Sequence, residues 1–258
     1  MASELKVALI QTTLQWENPK ENRKMFSEKI STIPSETDLI ILPEMFTTGF
    51  TMTPEAVNYE EGESTVQWMK EMAIDQNMAL VGSIAFKTND KFTNRLFFVH
   101  PDGSIQSCDK KHTFTFAGED KVYDSGNERL VISFRGFRIY PLICYDLRFP
   151  VWARYQGDYD VLLYVANWPE PRIEAWDTLL KARAIENMSY CIGVNRLGDD
   201  ANKHRYPGHS AIYDPLGKEI VFSRNNEIIF ASLSLQHLNN LREQFKFLED
   251  RDHFNLEP

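Results

Sequence analysis

The chain has 258 residues, of which 43% are hydrophobic and 25% charged, proportions typical of a globular protein of enzyme size. Its formal net charge of −9 and pI near 5.2 argue against a nucleic-acid partner, because phosphate binding favours a basic surface. The cysteines Cys108, Cys144 and Cys191 are widely separated and form no C-x-x-C or Cys/His ligand pattern. This spacing argues against a zinc site and a disulfide framework, and it favours the reducing cytoplasm.

The first residues, MASELKVALIQ, contain no basic region followed by a long apolar stretch, so no secretory signal is expected. No apolar run approaches the ~18 residues that a membrane-spanning helix needs. The sequence contains no Pro/Gly/Ser-rich linker, repeat or low-complexity tract. We therefore expect a single domain over residues 1–258.

The first half of the chain alternates short apolar runs with helical patterns. Strands are predicted for KVALIQ, DLIILPE and MALVGSIAF, and a hairpin turned at Pro-Asp-Gly is predicted for NRLFFVHPDGSIQSCDK. One helix is expected to begin at Asn18-Pro19, as cap and first helical position. A second is expected at Ser64, where S-T-V-Q fits a capping box. Because the strands are continuously apolar, we expect burial on both of their faces.

The second half repeats this alternation. A strand pair turned at Arg135-Gly136 is predicted for LVISFRGFRIYPLICYD. The strands DYDVLLYVANW and SYCIGVNRL flank a helix predicted from about Ile173 to Asn187. A hairpin, SAIYDPLGKEIVF, a strand, EIIFASLSL, and a polar helix complete the chain. Strands interspersed with helices predict an α/β domain whose helices cover the outer faces of the sheets.

Three predicted strands end in a chemically reactive side chain: Glu44, Lys110 and Cys144. In α/β proteins the ends of strands and the loops after them are where functional sites collect. A cysteine thiolate attacks carbonyl or nitrile carbon and forms a covalent acyl intermediate, but it needs a base or a nearby cation to ionise. Glu44 could accept and return the proton, and Lys110 and the backbone N–H of Tyr145 could stabilise an oxyanion.

Each of these residues also has a purely structural interpretation. A lone cysteine after a buried strand is more often an inert core residue, and a lysine in the polar stretch DKKH is usually solvated. Glu44 could simply cap a loop or pair with a surface lysine. Cys191, inside a predicted strand, is expected in the core, whereas Cys108, at the polar end of a hairpin strand, is expected to be partly exposed. The functional hypothesis therefore depends on the three residues occurring together.

The segments LPEMFTTGF, DKKHTF and LICYDLRFP, in this order, resemble the motifs of the nitrilase superfamily of carbon–nitrogen hydrolases, and the resemblance extends over nearly the whole chain. That family uses a Glu-Lys-Cys triad, which the motifs place on Glu44, Lys110 and Cys144; the K-x-H spacing selects Lys110 over Lys111. A second glutamate of the family matches Glu119, before S-G-N. The sequence departs from the common pattern at Thr113, where the family usually has an apolar residue.

The resemblance is greatest to the bacterial omega-amidase branch, through CYDLRFPVWARY, YVANWPEPRIEAW and ARAIEN. Members of that branch deamidate short dicarboxylate monoamides such as 2-oxoglutaramate. This implies that a cation holds the carboxylate of the substrate, and Arg172 is the first candidate. The candidate wall of a small pocket consists of Phe46, Phe50, Phe116 and Trp168, for which core packing is the alternative. By resemblance Arg148 supports the nucleophile loop, and His112 is either a partner of the site or structural.

The resemblance also implies a four-layer α-β-β-α sandwich, a homodimer, and catalysis without metal or organic cofactor. No phosphate loop, dinucleotide fingerprint or G-x-S-x-G motif is present. The alternatives left by the sequence are a family hydrolase acting on another amide, a nitrile or a carbamoyl compound, a non-catalytic binding module, and a structural protein.

Overall fold

Two β-sheets lie face to face, and α-helices cover their outer faces. The computed structural model describes residues 4–255. The strands are β1 Glu4–Gln11, β2 Leu39–Ile41, β3 Ala79–Thr88, β4 Lys91–Val99, β5 Ile105–Asp109, β6 Tyr123–Asp124, β7 Ile132–Phe134, β8 Phe137–Ile143, β9 Val161–Ala166, β10 Tyr190–Asn195, β11 Leu197–Asp199, β12 Arg205–Pro207, β13 Ser210–Tyr213, β14 Glu219–Ser223 and β15 Glu227–Ser234. The α-helices are α1 Pro19–Ile30, α2 Glu60–Gln76, α3 Pro150–Ala153, α4 Ile173–Asn187 and α5 Leu235–Phe245.

Each sheet has a parallel centre and antiparallel edges. In the first sheet the strand order is β15-β1-β2-β3-β4-β5, and β6 pairs with β4; in the second it is β14-β13-β10-β9-β8-β7. Strands β1, β2 and β3 run parallel to one another, as do β8, β9 and β10. The carboxyl ends of parallel strands share one edge of a sheet, where sites collect. This topology brings the segments after β2, β8 and β9 to the same region.

The side chains of β1 alternate between two packing layers, as the two-residue period of a strand requires. Leu5, Val7 and Leu9 pack in the core shared with the second sheet, whereas Ala8 and Ile10 pack against the layer of α1 and α2. Helix α4 covers the outer face of the second sheet, against β10 and β13. The predicted four-layer α-β-β-α arrangement is confirmed.

Most predicted elements occur where they were expected. Asn18 caps α1 by accepting a hydrogen bond from the N–H of Glu21, and Arg135-Gly136 form the two-residue turn between β7 and β8, both with positive φ. The predicted helix from Ile173 to Asn187 is α4.

The prediction that the second helix begins at Ser64 is wrong. Helix α2 begins at Glu60, so Ser64 lies inside it. Three acidic residues in the first turn, including Glu60 and Glu61, stabilise this earlier start because they face the positive end of the helix dipole. Thr65 uses its hydroxyl to donate to the carbonyl of Glu61, one turn earlier, and not to cap the helix.

The antiparallel pair β11–β12 was not predicted, because its strands have only three residues each. The domain predicted for 1–258 includes residues 1–3 and 256–258, which lie outside the described residues. The first three residues of MASELKVALIQ, where no secretory signal is expected, are among them. Among residues 4–255, no helix combines the length and apolarity needed to cross a membrane.

Candidate active site

Glu44 lies shortly after β2, which ends at Ile41, and its side chain is fully buried. Both of its carboxylate oxygens accept hydrogen bonds. Its Oε1 accepts from Lys110 Nζ at 2.9 Å and from Asn94 Nδ2 at 2.8 Å. Its Oε2 accepts from the backbone N–H of Asn167 at 2.8 Å and from that residue's Nδ2 at 3.3 Å. Donors from both sheets therefore fix the orientation of this carboxylate.

Lys110 follows β5 and is 1% exposed, so its ammonium is almost fully withdrawn from water. It donates to Glu44 and to both oxygens of Glu119, at 3.0 and 2.9 Å. Burial alone lowers the pKa of Lys110, but the charges of Glu119 and Glu44 outweigh this effect and raise the pKa above its ordinary value. The lysine is therefore a permanent cation between two carboxylates. Its Nζ also lies 5.3 Å from the centre of the Phe50 ring.

Glu119 opens a short 3-10 turn and is fully buried. Besides Lys110, its carboxylate binds Asn94 Nδ2 at 3.3 Å and the backbone N–H of Phe114. Burial raises the pKa of Glu119, Lys110 opposes the rise, and the charge of Glu44 adds to it. The structure thus brings Glu44, Lys110 and Glu119 into one buried cluster.

Cys144 directly follows β8 and begins a 3-10 turn in the left-handed region, with φ of 45°. A non-glycine residue rarely adopts this conformation, and such strain is common at functional positions. Its sulfur lies 3.9 Å from the carbonyl oxygen of Asn167 and faces the cavity described below. Burial, and then the charge of Glu44, raise the pKa of the Cys144 thiol well above its usual value, while Lys110 lowers it. At rest the group is a thiol.

The first turn after Cys144 supplies backbone donors. Tyr145 is the second residue of this 3-10 turn, where N–H groups have no partner within the helix. Its N–H is therefore suited to bind negative charge that develops on a substrate oxygen. The turn is held by Asp146, whose Oδ2 accepts the N–H of Ile143 at 3.0 Å.

A cavity of about 310 Å³ opens in front of these groups. Lys110 and Cys144 lie in its wall with four residues predicted to bind substrate: Phe50, Phe116, Trp168 and Arg172. Trp168 is buried and its indole N–H donates to the carbonyl of Arg172 at 2.7 Å, while the ring of Phe116 is 86% exposed at the surface. The volume is that of a small-molecule site.

The prediction that Phe46 walls this cavity is wrong. Met45 has a φ of 43° and turns the chain directly after Glu44. The Phe46 ring consequently lies on the helix-covered side of the first sheet, fully buried, 5.5 Å from the ring of Phe26 and 5.9 Å from that of Trp68. It belongs to the core, which was the alternative interpretation.

Arg148, for which the resemblance implied loop support, contributes a cation to the cavity wall. Its guanidinium lies over the Trp168 ring, 5.0 Å from the ring centre, and lines the cavity. Arg183 of α4 holds the 3-10 turn that begins at Cys144, because it donates to the carbonyl of Leu147 at 2.6 Å. Arg172 lies over another aromatic wall residue, 5.1 Å from the Phe114 ring centre. Two cations in addition to Lys110 therefore face the cavity.

Two asparagines of the site were missed by sequence reading, namely Asn94 and Asn167. Both contact Glu44, as described above, and Asn167 Nδ2 also donates to the Glu44 carbonyl at 2.7 Å. The available signal was a carboxamide in a strand or directly after one, beside apolar runs, in TNRLFFV and in YVANW. An amide buried in such a segment requires hydrogen-bond partners, which here are the carboxylate and carbonyl of Glu44.

The missed β11–β12 hairpin forms a further wall of the cavity. The carboxylate of Asp200 accepts the hydroxyl of Tyr206 at 2.9 Å and the backbone N–H of His204 at 2.9 Å. These residues line the cavity. Their mutual hydrogen bonds hold the hairpin in place.

Within residues 4–255, no group of three or more His, Cys, Asp and Glu side chains is arranged to hold a metal ion. The arrangement that is present combines a thiol, a buried carboxylate, a fixed cation and a backbone N–H without a partner in its turn. These are the groups that acyl transfer through a covalent thioester requires. Cys191 is buried in β10 and Cys108 half-buried in β5, as expected, and both lie outside the cavity wall.

Comparison with known proteins gives a consistent result. A family model described as carbon–nitrogen hydrolase matches residues 6–243. The chain is 44% identical to omega-amidase YafV of Yersinia enterocolitica, over 98% of this chain and 99% of that protein. It is 31% identical to 2-oxoglutaramate amidase of Bacillus subtilis (strain 168), over 95% and 96% respectively.

Solved structures give the same picture. A CN-hydrolase superfamily protein from Xanthomonas campestris, with an arsenic adduct in its active site, has 38% sequence identity and a TM-score of 0.95, over 98% of this chain and 99% of that one. Nit3 of Saccharomyces cerevisiae, a nitrilase-superfamily member, has 23% identity and a TM-score of 0.84, over 94% of both chains, and so supports the fold alone.

Proposed function

Because the chain belongs to the carbon–nitrogen hydrolase family, we propose that it is an ω-amidase, which hydrolyses the terminal amide of a short dicarboxylic acid monoamide, such as 2-oxoglutaramate, to the acid and ammonia. The observation that carries this proposal is the shared cavity: Cys144 and Lys110 lie in the same wall as two arginines. The first pair suits the chemistry on the amide, and the second suits a carboxylate at the other end of the substrate. The names of the relatives support the same reaction.

In the first half of the proposed mechanism, Glu44 takes the proton of the Cys144 thiol as the sulfur attacks the amide carbon. A C–S bond forms and the electron pair of the C=O bond moves onto oxygen. Lys110 and the N–H of Tyr145 hold that oxyanion. When the intermediate collapses, the C–N bond breaks, Glu44 gives its proton to the leaving nitrogen, and ammonia departs from a thioester.

In the second half, Glu44 takes a proton from water, whose oxygen attacks the thioester carbon. The C–S bond then breaks and the proton held by Glu44 returns to sulfur, which restores the resting thiol. Glu119 accepts a hydrogen bond from Lys110 at 2.9 Å and keeps the ammonium beside the oxygen that becomes the oxyanion. The raised pKa of the Cys144 thiol agrees with this scheme, because the proton must be removed at the moment of attack.

The distal carboxylate of the substrate is assigned to Arg172 and Arg148. Each guanidinium lies over an aromatic wall, of Phe114 and Trp168 respectively, which fixes its plane and lowers the entropy lost when a carboxylate binds. Phe50, Phe116 and Trp168 are assigned to the apolar walls around the substrate carbon chain.

We further propose that the enzyme acts in the cytoplasm as a homodimer. Three free cysteines suit a reducing compartment. Val151 of α3 and Ile185 of α4 are apolar side chains exposed by 52% and 47% on helices next to the nucleophile turn, and they support pairing through this face. Light scattering of the purified protein in solution tests the dimer.

The proposed reaction is tested by steady-state ammonia release from 2-oxoglutaramate, succinamate and glutaramate, measured beside a neutral amide, a nitrile and a ureido acid. We expect the carboxylate-bearing amides to have the highest kcat/KM. Preference for the nitrile or the ureido acid would overturn the ω-amidase assignment in favour of another hydrolase of the family. No release from any compound would favour a binding role.

A further inference from the structure

Asn94 of β4 lies between the two buried glutamates of the site. Its Nδ2 donates to Glu44 Oε1 at 2.8 Å and to Glu119 Oε1 at 3.3 Å, and the side chain is fully buried. Its backbone is fixed as well, because its carbonyl accepts the N–H of Lys110 at 2.9 Å. Asn94 is thus a neutral donor that contacts both carboxylates flanking the lysine.

The charges of this cluster do not cancel. With all groups ionised, Glu44 and Glu119 carry two negative charges and Lys110 one positive charge, and all three side chains are buried. Like charges held this close favour uptake of a proton by one of them. A donor to both carboxylates opposes that uptake, because hydrogen bonds to the charged form stabilise it.

Other titratable groups face this cluster from neighbouring elements. The thiol of Cys144 lies after β8, the phenol of Tyr123 lies in β6, and that of Tyr206 lies in β12. Burial, and then neighbouring carboxylate charge, raise the pKa values of all three, so they are uncharged near neutral pH. Neither phenol therefore adds a charge that could balance the second carboxylate. Within the described part of the chain, Asn94 is the neutral side chain whose amide reaches both glutamates.

We propose that Asn94 is a positioning residue whose amide keeps Glu44 and Glu119 ionised side by side and thereby sets the lowest pH at which Glu44 acts as the base. This inference rests on the proposed function, in which Glu44 removes the proton of the thiol. It concerns how the base is kept available, and Asn94 acts through Glu44 because Asn94 itself does not line the cavity.

The decisive variant is Asn94→Asp, which keeps the size of the side chain and replaces the shared donor with a third carboxyl group. We expect the acidic limb of the pH profile of kcat to move to higher pH by about 1 unit or more. Asn94→Ala removes the donor without adding charge, and we expect a smaller shift in the same direction. The pH dependence of Cys144 alkylation by iodoacetamide, read by mass spectrometry of its peptide, should shift in parallel.

Asn22→Asp is the matched control. Asn22 is an equally buried asparagine whose Nδ2 donates to the carbonyls of Gln15 and Thr47, and it contacts no carboxylate. We expect it to lower the melting temperature and to leave the shape of both pH profiles unchanged.

The proposal is overturned if Asn94→Asp lowers the rates by one factor at every pH, or if the profile of Asn94→Ala superimposes on that of the wild type. The second variant decides the question where the aspartate variant does not fold. The alkylation measurement needs no substrate. A wild-type enzyme that releases no ammonia would therefore remove the ω-amidase assignment, while the alkylation profiles would still test Asn94.

Discussion

The carboxylate of Asp146 binds His112 twice, accepting its backbone N–H at 2.9 Å and lying 2.8 Å from its imidazole Nδ1. The other oxygen of Asp146 accepts the N–H of Ile143, the residue directly before Cys144. His112 stands two residues after Lys110, and its ring stacks on Phe149 at 3.7 Å. A single buried carboxylate therefore ties the end of a strand in the second sheet to the end of a strand in the first.

Asp146→Asn should lower kcat by up to about 100-fold, because loss of an acceptor lets the nucleophile turn and the lysine segment move relative to each other. KM should change little, since Asp146 lies outside the cavity wall. Asp214→Asn is the control, because Asp214 is also buried and also accepts backbone N–H groups, but in the turn between β13 and β14. Steady-state kinetics of both variants provide the test. Wild-type kcat in Asp146→Asn would contradict the role.

Cys144→Ala should abolish ammonia release and leave the melting temperature close to that of the wild type, because the sulfur faces the cavity. Cys108→Ala is the matched control: Cys108 is half-buried in β5, and burial raises the pKa of its thiol to about 12, so its removal should leave activity unchanged. Ammonia assays and thermal unfolding of both variants test this. Residual ammonia release by Cys144→Ala would contradict the thioester mechanism.

The sequence was sufficient to predict the strands, the sandwich and the segments after β2, β5 and β8, because continuous apolar runs and strand-end positions are local features. It was insufficient for Phe46, because the chain turns at Met45 with a positive φ directly before that ring. It was also insufficient for Arg148, whose guanidinium lies over the ring of Trp168, 20 residues later along the chain. A contact between residues this far apart in the sequence leaves no local pattern.

Arg148→Gln and Arg172→Gln should each lower kcat/KM for glutaramate by about 10- to 100-fold, because a charge-assisted hydrogen bond contributes roughly 1.5–3 kcal/mol. Neither should affect hydrolysis of pentanamide, which has the same chain length and no carboxylate. Arg183→Lys is the control for a structural effect, since it loosens the nucleophile turn and should slow both substrates equally. If Arg148→Gln lowers kcat/KM equally for glutaramate and pentanamide, Arg148 supports the loop and does not bind the substrate carboxylate.

Lys110→Met should destabilise the fold by about 3–5 kcal/mol near neutral pH, because it leaves two buried carboxylates without their cation. Lys111→Met is the control, since the adjacent ammonium lies half-exposed, 5.0 Å from the centre of the Trp152 ring, and its removal should cost little.

The stability that Lys110→Met loses should depend on pH. Burial already raises the pKa of Glu119, Lys110 opposes that rise, and removal of the lysine raises the pKa further. A carboxyl group whose folded pKa exceeds its unfolded pKa stabilises the fold at low pH, and this stability is lost as the pH rises through the folded value. The free energy of unfolding of the variant should therefore be closest to that of the wild type at about pH 5 and furthest below it at about pH 8. Chemical denaturation at the two pH values measures the difference, and a gap that stays constant or narrows with rising pH would refute the account.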